Sequence, residues 1–329
     1  MSLRFSTSIA AVAVAAVSGL AVAGAAQAQN LRGWNIHVED YPVSYGMEAF
    51  IEEVTEKTGG AITGKVFHGG VLGSQPDAIE QVRLGALDFG VFSMGPVGQV
   101  VPEASVVSLP FIFSSVDAMY ELMDGAPGEA INAGLEAKGI KALGYYDAGA
   151  RSFYNSQKPI NTPEDVVGLK VRVMNNDLFV GMIEAMGGNA TPMAFSEVYQ
   201  SLKTGVVDGA ENNPPSYEST NHFEVATYYS LSQHLIIPEC LCMSLRTWNK
   251  LTPEQQAIVA EAGKNSTDYQ RELWKERELA SMDIVLDQGV EVNIIQDKAP
   301  FQAAMEPVYA SFLEANPELT SLVELFKAQ

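Results

Sequence analysis

Basic residues are scarce in this sequence. Its 329 residues include 20 lysines and arginines against 40 aspartates and glutamates, which gives a formal net charge of -20 at pH 7. A surface of this sign repels nucleic acid and anionic membranes, so we predict no nucleic-acid partner. A small anionic ligand is compatible with this charge, because a single arginine can outweigh the overall field at contact distance.

Long apolar runs are absent after residue 28. Before it, Arg4 precedes an apolar run over 9–23, and the tripeptide AQA at 26–28 matches the small-x-small pattern of a cleavage site. The alternative is a membrane anchor, but the run is short and rich in alanine compared with the roughly 20 residues of a spanning helix. We therefore predict a signal peptide over residues 1–28, cleaved after Ala28, and an exported protein with no direct membrane insertion.

Cysteine is nearly absent as well, with only Cys240 and Cys242 in the chain. They lie in an apolar segment that reads as a strand, where the Cα atoms of residues i and i+2 are roughly 7 Å apart, too far for easy bridging. We interpret both as small buried hydrophobic residues. Without a disulfide framework, the fold must rely on its apolar core.

Motifs for catalysis are missing too. The four histidines (37, 68, 222 and 234) show no metal-ligand spacing, and there is no Gly-x-Ser-x-Gly motif. The glycine-rich loop at 69–73 lacks the Lys-Ser/Thr pair of a phosphate-binding loop and fits a structural turn better. We predict no catalytic residue, no metal ion and no cofactor.

Strand and helix patterns alternate along the chain, which predicts an α/β fold with mainly parallel sheets. Ile62–Phe67 and 87–92 are typical strands, and Gln75–Leu84 is typical of a helix ended by Gly85. The same order repeats after Gly149, which indicates a second α/β unit. Near the end, one helix is predicted to start at Thr252 and Pro253, and another, long one to cover about 266–288.

A strand predicted over about 236–245 comes after the second unit and could return to the first sheet. The chain would then cross twice between the units, and two such crossings define a hinge with a ligand cleft beside it. We predict a domain I of 29–148 plus about 238–277. Domain II is predicted over 149–237 plus about 278–329.

One short strand carries an unexpected charge. Lys170 and Arg172 share one face of it, while Val171 and Val173 share the other, and Asn175 opens the polar loop that follows. Ligands of open α/β sheets lie beyond the carboxyl ends of strands, and arginine is suited to holding a carboxylate with two hydrogen bonds. Spacing alone leaves a surface salt bridge equally open.

Three further segments could face the same cleft. Arg151 begins the second unit, and Glu211 and Asn212 follow another predicted strand. Phe195 could pack against a ligand ring, although a lone phenylalanine before a helix is more often part of the core.

Taken together, these segments resemble the solute receptors of TRAP (tripartite ATP-independent periplasmic) transporters of the DctP type. Their order and spacing agree over nearly the whole mature chain. The matching segments are 70–73 (GVLG), 81–88 (QVRLGALD), 109–113 (LPFIF), 162–165 (TPED), 168–173 (GLKVRV), 197–199 (EVY) and 205–212 (GVVDGAEN).

The resemblance implies a two-domain periplasmic-binding-protein clamshell with a hinge and a central ligand cleft. Such a receptor captures one organic acid in the periplasm and delivers it to the membrane subunits of a TRAP permease. The resemblance implies that Arg172 pairs with the ligand carboxylate and that Arg151 lies near it. It also implies that Asn212 holds the arginine or the ligand, that Glu211 reads hydroxyls and that Phe195 stacks on the ligand.

In domain I the correspondence is looser: His37, Asp40, Gln75 and Ser93 match loops that face the cleft in relatives. Segments 37–42 (HVEDYP), 149–155 (GARSFYN) and 211–218 (ENNPPSYE) resemble the branch that binds D-glucuronate and D-galacturonate. A hexuronate has one carboxylate, which an arginine can bind, and several hydroxyls, which can form hydrogen bonds with amide, carboxylate and imidazole groups. The chain departs from that branch at 43–44 and at Pro214, which bears on the exact sugar preference.

Two alternatives remain open at this point, a receptor for a C4-dicarboxylate or 2-oxo acid and a secreted sugar-acid enzyme. A dicarboxylate would need a second positively charged side chain in domain I. The loops predicted to face the cleft in that domain contain none. A receptor that serves a membrane sensor is also compatible with the sequence. Nothing in it indicates an obligate oligomer, so we predict a monomer.

Overall fold

A computed structural model describes residues 29–328. The predicted signal peptide and its cleavage site lie outside these residues. None of the helices within 29–328 combines the length and the apolar composition needed to cross a membrane.

The described part of the chain alternates strands with helices, as the sequence predicts. The strands are β1 (Gln29–Trp34), β2 (Ile62–Phe67), β3 (Phe89–Ser93), β4 (Ile140–Tyr146), β5 (Ala150–Asn155), β6 (Lys170–Val173), β7 (Asn189–Pro192), β8 (Gly209–Asn212), β9 (Tyr228–Ile236), β10 (Glu239–Ser244) and β11 (Glu291–Ile294). The α-helices are α1 (Pro42–Lys57), α2 (Gln75–Leu84), α3 (Met94–Val97), α4 (Pro102–Ser105), α5 (Val116–Met123), α6 (Ala126–Ala137), α7 (Asp177–Ala185), α8 (Val198–Lys203), α9 (Pro214–Ser219), α10 (Leu245–Trp248), α11 (Pro253–Asp287), α12 (Ala299–Ala304), α13 (Glu306–Ala315) and α14 (Thr320–Lys327).

The strands form two sheets. The first sheet has the order β2-β1-β3-β10-β4, and the second sheet has the order β11-β9-β5-β8-β6-β7. Both are mixed rather than mainly parallel, because β10 pairs antiparallel with β3 and β4, and β5 pairs antiparallel with β8 and β9. The expected α/β class is confirmed, with this change in strand direction.

The chain passes between the sheets at two short segments. Residues 147–149 join β4 of the first sheet to β5 of the second, and residues 237–238 lead back from β9 to β10. The expected return of the later strand to the first sheet is therefore confirmed. A third passage is made by α11, which runs from β10 and α10 towards β11 of the second sheet. The domain bounds given above stay a prediction.

Local chemistry explains the best-predicted helix, α2. Ser74 precedes it, and the Asp77 carboxylate accepts a hydrogen bond from the Ser74 backbone N–H at 3.3 Å. Gly85 ends the helix with φ 76°, a left-handed conformation that favours glycine. Aromatic residues then fill the interior: Trp34 stacks on Phe92 with ring centroids 5.2 Å apart beside the first sheet.

The two cysteines contradict the sequence interpretation. Cys240 and Cys242 are buried as expected, but they are joined in a disulfide, so the expectation of two unpaired cysteines was wrong. The register of β10 against β4 breaks between Leu241 and Cys242, where Leu143 of β4 is the extra residue. Opposite this bulge the Cα atoms of the two cysteines lie 5.4 Å apart, less than in a regular strand and within the range of a disulfide.

Candidate functional site

A cavity of about 120 Å³ lies where loops of the two sheets meet. It is lined by residues that follow β1, β2, β6 and β7, by the ends of β3 and β8, and by the starts of the antiparallel strands β5 and β10. The carboxyl ends of parallel strands therefore converge on it from both sheets, which is where open α/β folds hold ligands.

The structure brings most of the predicted site residues to this cavity. Eight of the ten line it, namely His37, Gln75, Ser93, Arg151, Arg172, Asn175, Phe195 and Asn212. They come from segments far apart in the chain, so only the fold places them together.

Arg172 is the central cation of the site. It lies in β6 between β7 and β8, and only 3% of the residue is exposed. Its Nε and Nη2 groups donate to the carbonyl oxygen of Met193 at 3.1 and 2.8 Å, and its guanidinium carbon lies 5.8 Å from the centre of the Phe195 ring. No carboxylate within residues 29–328 lies within 4.0 Å of it. Burial lowers the pKa of Arg172 to about 10, so the group is charged at neutral pH.

Arg151 differs from Arg172 because its charge is already neutralised. Its Nε donates to Glu211 Oε2 at 2.5 Å, its Nη2 to Glu211 Oε1 at 2.9 Å and its Nη1 to Asn212 Oδ1 at 2.7 Å. Burial disfavours the guanidinium cation, but the Glu211 carboxylate outweighs this effect and raises the pKa of Arg151. Asn212 therefore orients an arginine on the cavity wall, one of the two roles that the resemblance implied.

Two predicted site residues do not line the cavity. Glu211 is completely buried, and both carboxylate oxygens contact Arg151, so the structure leaves it no hydroxyl-reading position. Asp40 points to solvent: 78% of its side chain is exposed, and it accepts a hydrogen bond from Tyr45 Oη at 2.7 Å. The chain bends between His37 and Tyr41, whose rings stack 4.1 Å apart, and the exposed Asp40 lies on the outside of this bend.

One cavity residue was missed by the sequence analysis. Glu239, the first residue of β10, lines the cavity, and its Oε1 lies 3.5 Å from His37 Nε2. The available signal was a single acidic residue at the edge of an otherwise apolar strand. A lone glutamate at a strand end is common, so this signal is weak.

The polar groups of the first sheet are held in place. Gln75, the first residue of α2, accepts a hydrogen bond from the Ser93 backbone N–H at 3.0 Å through Oε1. This contact fixes the orientation of the amide at the cavity wall. Asn175 is exposed at the edge of the cavity, and the Phe195 ring is half-buried.

The buried histidines behind the arginines add no charge. Burial, together with the neighbouring guanidinium groups, lowers the pKa of His222 and of His234 to about 3. The Tyr154 hydroxyl and His222 Nδ1 are 2.7 Å apart. Arg172 therefore supplies the uncompensated positive charge of the cavity wall.

Contacts around the cavity connect the two sheets. Asn176 Nδ2 donates to the carbonyl oxygen of Gly95 at 2.6 Å, and the hydroxyls of Tyr41 and Ser216 lie 2.8 Å apart. Both contacts join segments that follow strands of the first sheet to segments that follow strands of the second. The cavity is therefore enclosed by contacts that an outward movement of either sheet would break.

Comparison with known proteins identifies the family of this chain. The model of the DctP family, described as bacterial extracellular solute-binding protein, family 7, matches residues 35–316. A solute-binding protein of Chromohalobacter salexigens is 56% identical over 298 residues, which cover 91% of this chain and 89% of the relative.

Solved structures give the same result. A TRAP periplasmic solute-binding protein of Sulfitobacter sp. NAS-14.1 with bound β-D-galacturonate is 77% identical, with a TM-score of 0.91, over 92% of this chain and 100% of that structure. One of Roseobacter denitrificans with bound β-D-glucuronate is 62% identical, also with a TM-score of 0.91, over 92% and 100% of the two chains. The chain therefore has the periplasmic-binding-protein fold of the TRAP receptors and belongs to the DctP family, whose members are solute-binding proteins rather than enzymes.

Proposed function

We propose that this chain is a periplasmic receptor that binds one hexuronate, D-glucuronate or D-galacturonate, and delivers it to the membrane subunits of a TRAP permease. The hexuronate lies between domain I (29–148 and about 238–277) and domain II (149–237 and about 278–329). The two domains close around the ligand, and the receptor acts as a monomer. The related structures from Sulfitobacter sp. NAS-14.1 and Roseobacter denitrificans, with bound β-D-galacturonate and β-D-glucuronate, support this ligand class.

The observation that carries the proposal is the buried, unpaired guanidinium of Arg172. An isolated charge inside a protein is costly unless it is paired, so a cavity built around one is suited to an anion. Arg172 presents a planar fork that can bind both oxygens of a carboxylate. The Phe195 ring beside it offers an apolar face to the sugar.

The rest of the cavity suits hydroxyls better than a second anion. Gln75, Ser93, Asn175 and Asn212 contribute neutral polar groups. Among the residues that the structure describes, the cavity lining has two guanidinium groups and no ammonium group, and one of the two, Arg151, is paired with Glu211. One carboxylate with several hydroxyls matches this set, and a C4-dicarboxylate does not.

Hinge closure follows from the distribution of these groups. The arginines belong to the second sheet, whereas His37, Gln75 and Ser93 belong to the first. A ligand that contacts both sets binds the closed form more tightly than the open form, and it shifts the population towards closure by this difference.

Thermal melting of the mature chain against a panel of acids tests the proposal. The panel contains D-glucuronate, D-galacturonate, succinate, malate, pyruvate and sialic acid. A ligand at about 1,000 times its Kd stabilises the folded state by about 4 kcal/mol, which is a shift of several degrees. We expect this shift with the uronates alone. A shift with the dicarboxylates alone would overturn the hexuronate assignment.

A further inference from the structure

A carboxylate on the cavity wall has no structural partner of opposite fixed charge. Glu239 is the first residue of β10, where it pairs with Ser93 of β3 and Tyr146 of β4, so its backbone is held on both sides. Only 7% of the residue is exposed. Within residues 29–328, no lysine or arginine nitrogen lies within 4.0 Å of its carboxylate, and its ion-pair contact is His37 Nε2 at 3.5 Å from Oε1.

Two buried atoms of this pair lack a hydrogen bond in the part of the chain that the structure describes. They are Glu239 Oε2 and His37 Nε2, and both residues line the cavity. Leaving a buried polar group without a hydrogen bond destabilises the protein, and the cost is larger for a charged group. Such groups are rare in native proteins, and beside a cavity they are satisfied by whatever enters it.

Neither of the two cavity arginines pairs with the Glu239 carboxylate. The charge of Glu239 acts on Arg151 only as a minor influence, and the donors of Arg151 are engaged by Glu211 and Asn212. Arg172 donates to Met193 and belongs to the second sheet. The cavity therefore has an unpaired cation contributed by the second sheet and an unpaired carboxylate contributed by the first.

We propose that Glu239, together with His37, is the specificity-determining pair of the site: it accepts hydrogen bonds from ligand hydroxyls and excludes ligands that carry a second carboxylate. This inference rests on the proposed function, because it assumes that the first carboxylate binds at Arg172. A carboxylate oxygen only accepts hydrogen bonds, so its ligand partner must donate a proton. A hydroxyl donates one, whereas a second carboxylate offers none and adds like-charge repulsion in a desolvated site.

Three acids with one carbon skeleton isolate this effect. D-galacturonate has one carboxylate and a ring. L-galactonate has one carboxylate and an open chain, and galactarate is the open chain with a carboxylate at both ends. The comparison of L-galactonate with galactarate therefore changes the second charge without changing the ring.

Calorimetric titration of the three acids into the mature wild-type chain and into Glu239→Gln tests the proposal. In the wild type we expect binding of D-galacturonate, and binding of galactarate at least about tenfold weaker than that of L-galactonate. In Glu239→Gln we expect D-galacturonate to bind about 10- to 100-fold more weakly, because a charge-assisted hydrogen bond is lost, and galactarate to bind no more weakly than in the wild type. Asp40→Asn, an exposed carboxylate on the turn after His37, is the matched control and should bind like the wild type.

The outcomes separate this inference from the proposed function. Wild-type affinity for D-galacturonate in Glu239→Gln would overturn the role of Glu239 and leave the hexuronate receptor intact. Failure of the wild type to bind D-galacturonate here and D-glucuronate in the melting panel would overturn both. If Glu239→Gln does not fold, as judged by its melting curve, the wild-type comparison decides: galactarate that binds as tightly as L-galactonate would overturn the exclusion of a second carboxylate.

Discussion

Arg151 and Glu211 form a buried ion pair. Two guanidinium nitrogens of Arg151 donate to the two carboxylate oxygens of Glu211 at 2.5 and 2.9 Å, and both side chains are buried. Because this pair is neutral as a unit, the two arginines of the cavity have different tasks. Arg151 is a fixed part of the wall, and Arg172 is available to an anion.

Removing one partner of this pair should destabilise the fold. Glu211→Gln leaves the Arg151 cation buried without its carboxylate, and such a loss costs about 3–5 kcal/mol. The free energy of unfolding, measured by urea titration, should fall by this amount. Glu80→Gln, which breaks the half-exposed Arg83–Glu80 pair, is the control and should change it by less than about 1 kcal/mol. A small effect of Glu211→Gln would show that Arg151 is satisfied in another way.

Asn176 should stabilise the closed form through a contact that lies beside the cavity and outside its lining. Its Oδ1 accepts a hydrogen bond from the Leu178 backbone N–H at 2.8 Å and caps α7, while its Nδ2 donates to Gly95 near the first sheet. Asn176→Asp keeps the capping acceptor and removes the donor. We expect about 3- to 10-fold weaker binding of D-galacturonate by calorimetry, because one buried hydrogen bond is lost on closure. Unchanged affinity would argue against a role in closure.

A half-buried carboxyl group beside the first crossing, that of Glu278, should make stability depend on pH. Burial, with a smaller effect of Asp147, raises the pKa of Glu278 on α11 from its ordinary value of 4.5 to about 7. Between pH 4.5 and 7 the Glu278 carboxyl keeps its proton in the folded chain and loses it in the unfolded chain. The contribution of this group to the free energy of unfolding is therefore full below about pH 4.5 and is lost as the pH rises through 7.

Glu278→Gln cannot ionise and tests this dependence. Its melting temperature should fall less than that of the wild type between pH 5 and pH 8, by a few degrees. Glu276→Gln, an exposed neighbour on the same helix, is the control and should follow the wild type. Parallel curves for Glu278→Gln and the wild type would contradict the assignment.

The disulfide between Cys240 and Cys242 predicts a simple result for the exported protein. After unfolding with an alkylating reagent and no reductant, the intact mass should show no alkylated cysteine. Addition of a reductant should then expose two reactive thiols. Two alkylated cysteines in the unreduced sample would show that the bond does not form in the mature chain.

Local signals predicted some elements with their full bounds. The strand Ile62–Phe67 and the helix Gln75–Leu84 agree with the structure at both ends. In each case the determinants lie within a few residues: a β-branched run for the strand, and for the helix the Ser74 capping box and the left-handed Gly85.

The elements that the sequence analysis missed are determined by tertiary contacts. Strand β9 was missed because its buried face carries Ser230, Ser232 and His234 instead of apolar residues. Their polarity is balanced by partners from distant segments. The Ser230 hydroxyl, for example, accepts a hydrogen bond from the backbone N–H of Ile160 at 2.9 Å.

The long helix α11 shows the same limit. Two helices were predicted where the structure has one over Pro253–Asp287. Gly263 lies within the first half of this helix. A glycine is typical of a helix end, but here it allows close packing, because a Cβ at this position would lie 2.8 Å from Leu143 Cβ. The spacing of the sequence cannot distinguish a glycine that ends a helix from one that packs it.

The site was predictable where a strand pattern singled out a residue. Arg172 alternates with Val171 and Val173 in a short strand, and the structure places it on the cavity wall. Glu239 has no such local signal, because its position depends on the return of β10 to the first sheet. The disulfide was unpredictable for a related reason, because the short Cα separation of Cys240 and Cys242 lies opposite a bulge in β4, a distant segment of the chain.

The most direct test of the account is calorimetric titration of D-galacturonate and D-glucuronate into the wild type and Arg172→Lys. Lysine keeps the charge but lacks the planar fork that holds a carboxylate with two hydrogen bonds. Arg246→Lys, an exposed arginine outside the cavity lining, is the matched control. We predict one binding site in the wild type and in the control, and at least about tenfold weaker binding in Arg172→Lys. Wild-type affinity in Arg172→Lys would contradict the central claim that Arg172 binds the ligand carboxylate.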